Sequence, residues 1–323
     1  MIYLNEKNLK DIGFNWNETI DAIEYAVRCL NKGEYAQPIK PYLKYGNQKN
    51  RIIAMPAFVG GDISVAGIKW IASFPDNIKN GIPRAHSVVI LNNANTGEPI
   101  AVINTALLSI IRTVSVSGLI TKYFNSRHNL AKFNLGIIGW GPIGQHHLKM
   151  FIDLYGDEIS KILIYDIRPV IDINNIEPDI KDKIIVADCW EDVYLESDVF
   201  ITCTVSNSPY INMKPRNGAL ILNISLRDFK IDSFDYFKNS IIVDDWEEVC
   251  RENTDIENMF KYKGLTKEST KSIVDVVCNN CLDCYSDNNP IMFNPMGMAI
   301  FDMAIGEYYY KKAIEKGYYQ MLE

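Results

Sequence analysis

Ten consecutive residues, Leu135-Gly-Ile-Ile-Gly-Trp-Gly-Pro-Ile-Gly144, carry the densest chemical signal in the chain. Apolar residues run into Gly139-x-Gly141-x-x-Gly144, and an apolar, helix-like segment follows. A strand, a tight turn and a helix N-terminus in that order offer backbone N–H groups to a pyrophosphate. Gly139 permits the turn, Gly141 lets a phosphate approach the backbone, and Gly144 lets helix pack on strand. Three glycines so spaced arise often by chance, so the context has to carry the reading. Lys161-Ile-Leu-Ile-Tyr-Asp166 supplies it, as a second strand ending in a carboxylate. Some twenty residues past the loop is where an acid holds the adenosine ribose hydroxyls. An acid there also repels a 2′-phosphate. The expected cofactor is therefore NAD, touched by Gly139, Gly141, Pro142, Ile143, Gly144 and Asp166.

Two cations stand where solvated ones do not belong. Arg112 lies between Ile110-Ile111 and Val114 in an apolar helix, and Lys69 between Ile68 and Trp70 in an apolar strand. A guanidinium there demands an anion, and a carboxylate suits its planar fork. An ion pair to another element would meet the same demand. Lys69 could otherwise face water at the mouth of its sheet. Asp228 follows the strand-like run Ala219–Ile224, at the carboxyl edge where doubly wound sheets bind ligands. A capping or loop aspartate is the other reading of that residue.

The elements that must hold these groups can be read from apolar spacing. About 130 residues precede the glycine loop, enough for a domain of their own. They open on a strand at Ile2–Leu4 and a helix with Ile20, Ile23, Val27 and Leu30 on one face, ending near Gly33. Strand-like runs follow at Lys40–Lys44, Arg51–Val59, Val65–Ser73 and Ser87–Leu91. The last turns through Asn95-Thr96-Gly97 into Pro99–Ile103, a hairpin signal. A helix from about Asn104 to Phe124 leads to the loop. Beyond Asp166, the runs Lys183–Val186, Val199–Thr204, Ala219–Ile224 and Ile241–Val243 are rich in Ile and Val, as strands buried on both faces are. They predict a doubly wound parallel sheet reaching about residue 290, with a final helix from Met296 to Tyr319.

Composition narrows the class. The chain has 323 residues, is 47% hydrophobic and carries a net charge of -7. An acidic balance argues against a nucleic-acid surface, which needs clustered Lys and Arg. No uninterrupted apolar run approaches a membrane span, and the N-terminus lacks the basic-then-apolar pattern of a signal peptide. Seven cysteines fit reduced thiols better than a disulfide framework, so a cytoplasmic protein is expected.

Larger blocks now stand together: Arg51-Ile-Ile-Ala-Met-Pro56, Gly67-Ile-Lys69, Thr96-Gly-Glu-Pro99, Leu107-Leu-Ser-Ile-Ile-Arg112-Thr113, the glycine loop and Asn294-Pro-Met-Gly-Met-Ala299. With them the chain resembles the ornithine cyclodeaminase/mu-crystallin family over nearly its whole length. The resemblance implies a homodimer of two-domain subunits. An α+β substrate and dimerisation domain would be built from both chain ends (1–124 and 295–323), around a Rossmann domain (125–294). It further implies that Arg51, Lys69 and Arg112 bind substrate carboxylates, Lys69 also serving catalysis, and that Asp228 is the catalytic base. Thr204 and Val205 would lie along the cofactor, and Met296 and Gly297 would border the nicotinamide.

Lys40-Pro-Tyr-Leu43, Ile201-Thr-Cys-Thr204, Val243-Asp-Asp-Trp246 and Arg251-Glu-Asn253 resemble one branch most closely. That branch oxidises N-(2-amino-2-carboxyethyl)-L-glutamate for siderophore assembly, releasing 2-oxoglutarate and L-2,3-diaminopropionate. A redox-neutral ornithine cyclodeaminase, other amino acid dehydrogenases or ketimine reductases, and a cofactor-dependent binding protein are the alternatives. Family cyclodeaminases resemble Glu-Leu-Met-Pro where this chain has Ile53-Ala-Met-Pro56, and that Glu faces the distal ammonium of ornithine. Ile53 cannot replace it.

Three further groups call for a reading. Cys278-x-x-Cys281-x-x-Cys284 offers three thiols but no fourth ligand nearby in sequence, so no metal is expected. His146 and His147 are adjacent on a helix and point apart, which makes a poor chelate. His86 falls between strands of the first domain, where the sequence does not place it.

Overall fold

The computed structural model describes residues 1–171 and 178–323. The chain divides into two compact units, Met1–Val116 with Gly297–Glu323, and Ser117–Met296. In the first, β1 (Ile2–Asn5) ends on Asn5, whose side chain caps α1 (Glu6–Ile12). Asn15 caps α2 (Trp16–Lys32), which buries Ile20, Ile23, Ala26 and Val27 and stops at Gly33 with φ +72°. Next come β2 (Tyr35–Ala36), β3 (Tyr42–Leu43), β4 (Arg51–Val59), β5 (Val65–Ser73), β6 (Ala85–Asn93) and β7 (Pro99–Asn104). The sheet runs β1-β7-β6-β5-β4-β2 with β3 also beside β4; β1 and β7 are parallel and the other pairs named here antiparallel.

Register decides which side chains share a face. Lys69 pairs with Met55 on one side and Val89 on the other, so odd-numbered residues of β4, β5 and β6 point one way. Met55, Ala57, Val59, Val65, Val89 and Leu91 are buried on that face. The C-terminal helix Ala299–Lys316 covers it: a Cβ on Gly67 would lie 2.8 Å from the Met303 sulfur. The even face is also apolar, with Ile52, Pro56, Phe58, Ile68, Val88 and Ile90 half-buried and Trp70 44% exposed.

The second unit begins within α3 (Leu107–His128). By length and composition this helix could cross a membrane, yet most of its apolar residues are buried in the protein. Then follow β8 (Phe133–Ile138), α4 (Pro142–Tyr155), β9 (Ile159–Tyr165), β10 (Ile184–Val186), β11 (Val199–Thr202), β12 (Leu220–Asn223), β13 (Ile241–Val243), β14 (Lys271–Ser272) and β15 (Ile291–Asn294). Their order is β10-β9-β8-β11-β12-β15-β13-β14, parallel throughout. The chain reverses direction across the sheet between β8 and β11, the switch point beyond which dinucleotides bind.

Several boundaries shift by a few residues, as with the helix expected over 104–124 that spans Leu107–His128, and three further differences have a plain physical reason. Lys40–Lys44 pairs only at Tyr42 and Leu43, since Pro38 and Pro41 cannot donate to a ladder. The last helix starts at Ala299 rather than Met296, because Gly297 takes φ +89°. The sheet does not end near 290. Ile291–Asn294 inserts between β12 and β13 and is fully buried.

Candidate active site

In the second unit the glycine turn has the shape a dinucleotide requires. Gly139 takes φ +97°, and a Cβ there would sit 2.6 Å from the Cys203 carbonyl. A Cβ on Gly144 would lie 2.1 Å from the Gly139 oxygen, so helix and strand touch through backbone. Gly141 opens onto space, with nothing within 4 Å of its missing side chain. It is also the N-cap of α4, supplies no side-chain cap, and is followed by Pro142 and Ile143 in the first turn. The helix thus begins with N–H groups that no capping side chain covers, which fits a diphosphate.

Asp166 closes the adenosine end. Its Oδ2 accepts from the Trp140 amide at 2.7 Å, and its Oδ1 from the Arg168 amide at 2.8 Å. Burial pushes its pKa up, but these bonds and the Arg168 guanidinium outweigh it and hold the carboxyl below its ordinary value. The charge is locked on.

Asp228 sits at the carboxyl edge beyond β12 and is fully buried. Thr204 Oγ1 donates to its Oδ1 at 2.6 Å and Ser225 Oγ to its Oδ2 at 2.7 Å. Burial raises its pKa, while the Ser225, Thr204 and Tyr210 hydroxyls hold back part of the rise. A carboxylate easier to protonate than usual is a better base near neutral pH. Val205 is 56% exposed beside Thr204, and the Met296 amide donates to Asp244 at 3.0 Å.

Behind Asp228 stands a network that the sequence did not announce. Asn223 accepts from Leu226 N at 3.1 Å and donates to Asp255 at 3.0 Å and Asn294 at 2.8 Å. Leu226 holds φ +60°, a conformation that costs a branched side chain energy and needs such support. Burial pushes Asp255 up to about 7, against bonds from Asn223 and the Phe229 amide. A carboxyl raised on folding stabilises the folded state fully below the ordinary carboxylate range and loses that contribution as pH rises through about 7. Asp255→Asn should therefore flatten the fall in Tm over that range. An unchanged slope would show that Asp255 does not titrate there.

In the first unit, Lys69 and Arg112 converge on one carboxylate. Lys69 is 1% exposed with Nζ 2.7 Å from Asp302 Oδ2, and Arg112 Nε is 3.1 Å from Asp302 Oδ1. Lys40, also buried, donates to the Gly297 carbonyl at 2.7 Å. Gly297 takes φ +89°, a conformation that favours glycine, and a Cβ there would lie 2.5 Å from an Arg112 nitrogen, so the loop passes close against the guanidinium. Burial drives Lys69 down to about 7, with Arg112 and Lys40 adding to the push and Asp302 opposing it. Lys69 and Arg112 thus share one buried acid. Arg51, on the same odd face, lies 5.5 Å from the centre of the Tyr42 ring. Ile53 follows it on that face, paired with Ile71.

Lys40 and Asp302 were not singled out by sequence. Asp302 was the more findable, a lone acid in the apolar run Ala299-Ile-Phe-Asp-Met-Ala-Ile305 just as Arg112 is a lone base in its own. The remaining candidates lie elsewhere. His86 is exposed on the even face, away from Lys69. His147 is buried, donates from Nδ1 to the Ile143 carbonyl and is lowered to about 4 by burial, so it is neutral. His146 bonds the Pro142 carbonyl. Among the described residues no three His, Cys, Asp or Glu are grouped to hold a metal.

The pattern of the ornithine cyclodeaminase/mu-crystallin family matches residues 9–317. The chain belongs to this family. It is 33% identical to N-((2S)-2-amino-2-carboxyethyl)-L-glutamate dehydrogenase of Staphylococcus aureus, over 97% of this chain and 95% of that one. A Delta(1)-pyrroline-2-carboxylate reductase of Bacillus cereus is 24% identical over 96% of both. Among solved structures, the Thermococcus litoralis Delta(1)-pyrroline-2-carboxylate reductase in complex with NADH and L-proline superposes with a TM-score of 0.87 at 23% identity, covering 100% of each chain. An archaeal alanine dehydrogenase dimer with bound NAD gives 0.81 at 24% identity, over 98% of this chain and 97% of that one. The family fold accounts for both units.

Proposed function

We propose that the protein is an NAD-dependent dehydrogenase of N-(2-amino-2-carboxyethyl)-L-glutamate. The observation that carries the reading is that buried Lys69 and Arg112 share the one carboxylate of Asp302, basic groups placed to take a carboxylate-bearing substrate. The 33% identity to a dehydrogenase of that amine supports it, and the branch resemblance of the sequence extends the proposal to a role in siderophore assembly. The glycine loop, Asp166, Thr204, Val205, Met296 and Gly297 are assigned to the cofactor, whose bound nicotinamide accepts hydride.

The residues' parts follow from their chemistry. Lys69 and Arg112, joined by Arg51, bind substrate carboxylates and orient the carbon that bears the amine. Loss of hydride from that carbon and of the amine proton leaves a C=N bond. Water adds to it, the C–N bond breaks, and 2-oxoglutarate and L-2,3-diaminopropionate separate. Asp228 takes the proton from the amine and releases it to solvent, then passes the protons of the attacking water to the nitrogen that leaves as the primary amine. Ornithine fits poorly, because Ile53 offers its distal ammonium no acceptor and burying it unpaired costs several kcal/mol. The test is a substrate comparison. NADH should accumulate with the tricarboxylate amine, and ornithine should yield neither proline nor ammonia; proline without NADH would make the protein a cyclodeaminase.

Asp166 sets cofactor choice. NAD(H) should bind at least about tenfold more tightly than NADP(H), because a fixed negative charge faces the 2′ position. Asp166→Ser should narrow the gap, as it also frees the paired Arg168 for a phosphate. Equal affinity in the unmutated protein would contradict the assignment.

The apolar even face of the first sheet fits a second copy of the chain. Trp70 and Ile68 on β5 would be covered in a homodimer, as such patches seldom stay bare on monomers. Ile68→Glu should shift the mass in solution toward a monomer. A wild-type protein that is monomeric at micromolar concentration would end this reading.

A further inference from the structure

The odd face of β4, β5 and β6 is laid out in rows set by the strand register. Met55, Lys69 and Val89 form one row, Ile53, Ile71 and Ser87 the next, and Arg51, Ser73 and Ala85 the one beyond. Successive rows on one face of a sheet are about 7 Å apart. The first of these rows belongs to the carboxylate cluster at Lys69. The other two hold Ser87 and Ser73, which this cluster does not use, with Arg51 at the far end shared between the cluster and these rows.

Ser87 is 4% exposed, and its Oγ is buried without a hydrogen-bond partner among the described residues. A hydroxyl left so in an apolar sheet costs stability unless a ligand completes it. Arg84, just before β6, donates to Ser73 Oγ at 3.4 Å, which brings its guanidinium onto this face. Arg51 pairs across the ladder with Ser73, so two guanidinium-bearing residues flank one serine. Around them Ile53, Ile71 and Ser73 are only half-buried, so this end of the face is more open than the Met55–Lys69 row.

We propose that Arg84, Ser73 and Ser87, with Arg51, form a second carboxylate subsite that selects substrates carrying two acid groups a short chain apart. Arg84 and Arg51 supply charge and bidentate donors, and Ser87 gains the acceptor it lacks. A single α-carboxylate held by Lys69 and Arg112 leaves this subsite empty. A glutamate-derived substrate fills both: its side-chain carboxylate lies about 5 Å from the first, just short of one row, where the long arms of Arg84 and Arg51 can come back to meet it. The subsite rests on the functional reading above for the placement of the first carboxylate, and it explains why a glutamate unit would be preferred to alanine or proline.

The test compares 2-oxoglutarate with 2-oxobutyrate, which lacks the second carboxylate, as ligands of the wild-type protein saturated with NADH. Titration by NADH fluorescence should show 2-oxoglutarate binding at least about tenfold more tightly. Arg84→Gln should weaken 2-oxoglutarate about tenfold or more and leave 2-oxobutyrate within about twofold. Arg84→Lys should recover part of the loss, and Ser87→Ala, a change too small to unfold the sheet, should weaken 2-oxoglutarate alone by about three- to tenfold. No wild-type preference, or parallel weakening of both acids in Arg84→Gln and Ser87→Ala, would overturn the subsite. Binding is read without turnover, so the two failures separate. An intact preference without oxidation of the tricarboxylate amine would sink only the functional reading.

Discussion

Asp228→Asn is expected to lower kcat by about 10²- to 10⁴-fold, with KM and dinucleotide affinity changed only a few-fold. The amide keeps the size of the carboxyl and can still accept from Thr204 or Ser225, which bond opposite oxygens of Asp228. It cannot take a proton. Because burial raises the Asp228 pKa, the wild-type kcat should rise with pH along a limb lying above the ordinary carboxylate range. That limb should vanish in the variant. Near-normal kcat in Asp228→Asn would pass the proton to water or another side chain. Equal loss of cofactor binding would make Asp228 a support of the fold.

Asp302→Asn is expected to have the largest effect on stability. The carboxylate is fully buried and is paired to both Lys69 and Arg112, so its loss leaves those cations uncompensated. Breaking a buried pair by removing one partner costs about 3–5 kcal/mol. Lys69, already near 7, can shed its proton, so the cost should fall toward the lower end as pH rises from about 6 to 8. An added dicarboxylate such as 2-oxoglutarate, with NADH present, should restore part of the lost Tm. A variant as stable as wild type at pH 6 would show that Asp302 does not hold the cluster together.

The parts legible in sequence were those governed by local spacing. Arg51–Val59 and Val65–Ser73 match their strands residue for residue, because apolar residues on both faces leave turn residues to mark the ends. The glycine loop and Asp166 were legible for a similar reason, since turn, helix start and ribose acid lie close along the chain. What escaped depends on distant partners. Arg112 visibly needed an anion, but Asp302 lies 190 positions away in another apolar helix. Asp255 reads as an ordinary first-turn acid of the helix Asp255–Lys263, and only its burial against Asn223 changes its character. Lys40 stands between two prolines in a run read as a strand, with nothing to show that it would be buried. Ile291–Asn294 is four residues long and ends at Pro295, too short for periodicity to separate strand from loop.

The most direct measurement follows three products at once. Purified protein, NAD⁺ and N-(2-amino-2-carboxyethyl)-L-glutamate are mixed, and NADH, 2-oxoglutarate and L-2,3-diaminopropionate are quantified over time. Hydride transfer followed by hydrolysis predicts equal amounts of all three at every point after a brief lag. The same ratio should hold in Lys69 and Arg112 variants that turn over more slowly. Failure to form NADH from this amine, with a family amino acid such as alanine or proline oxidised instead, would contradict the assignment.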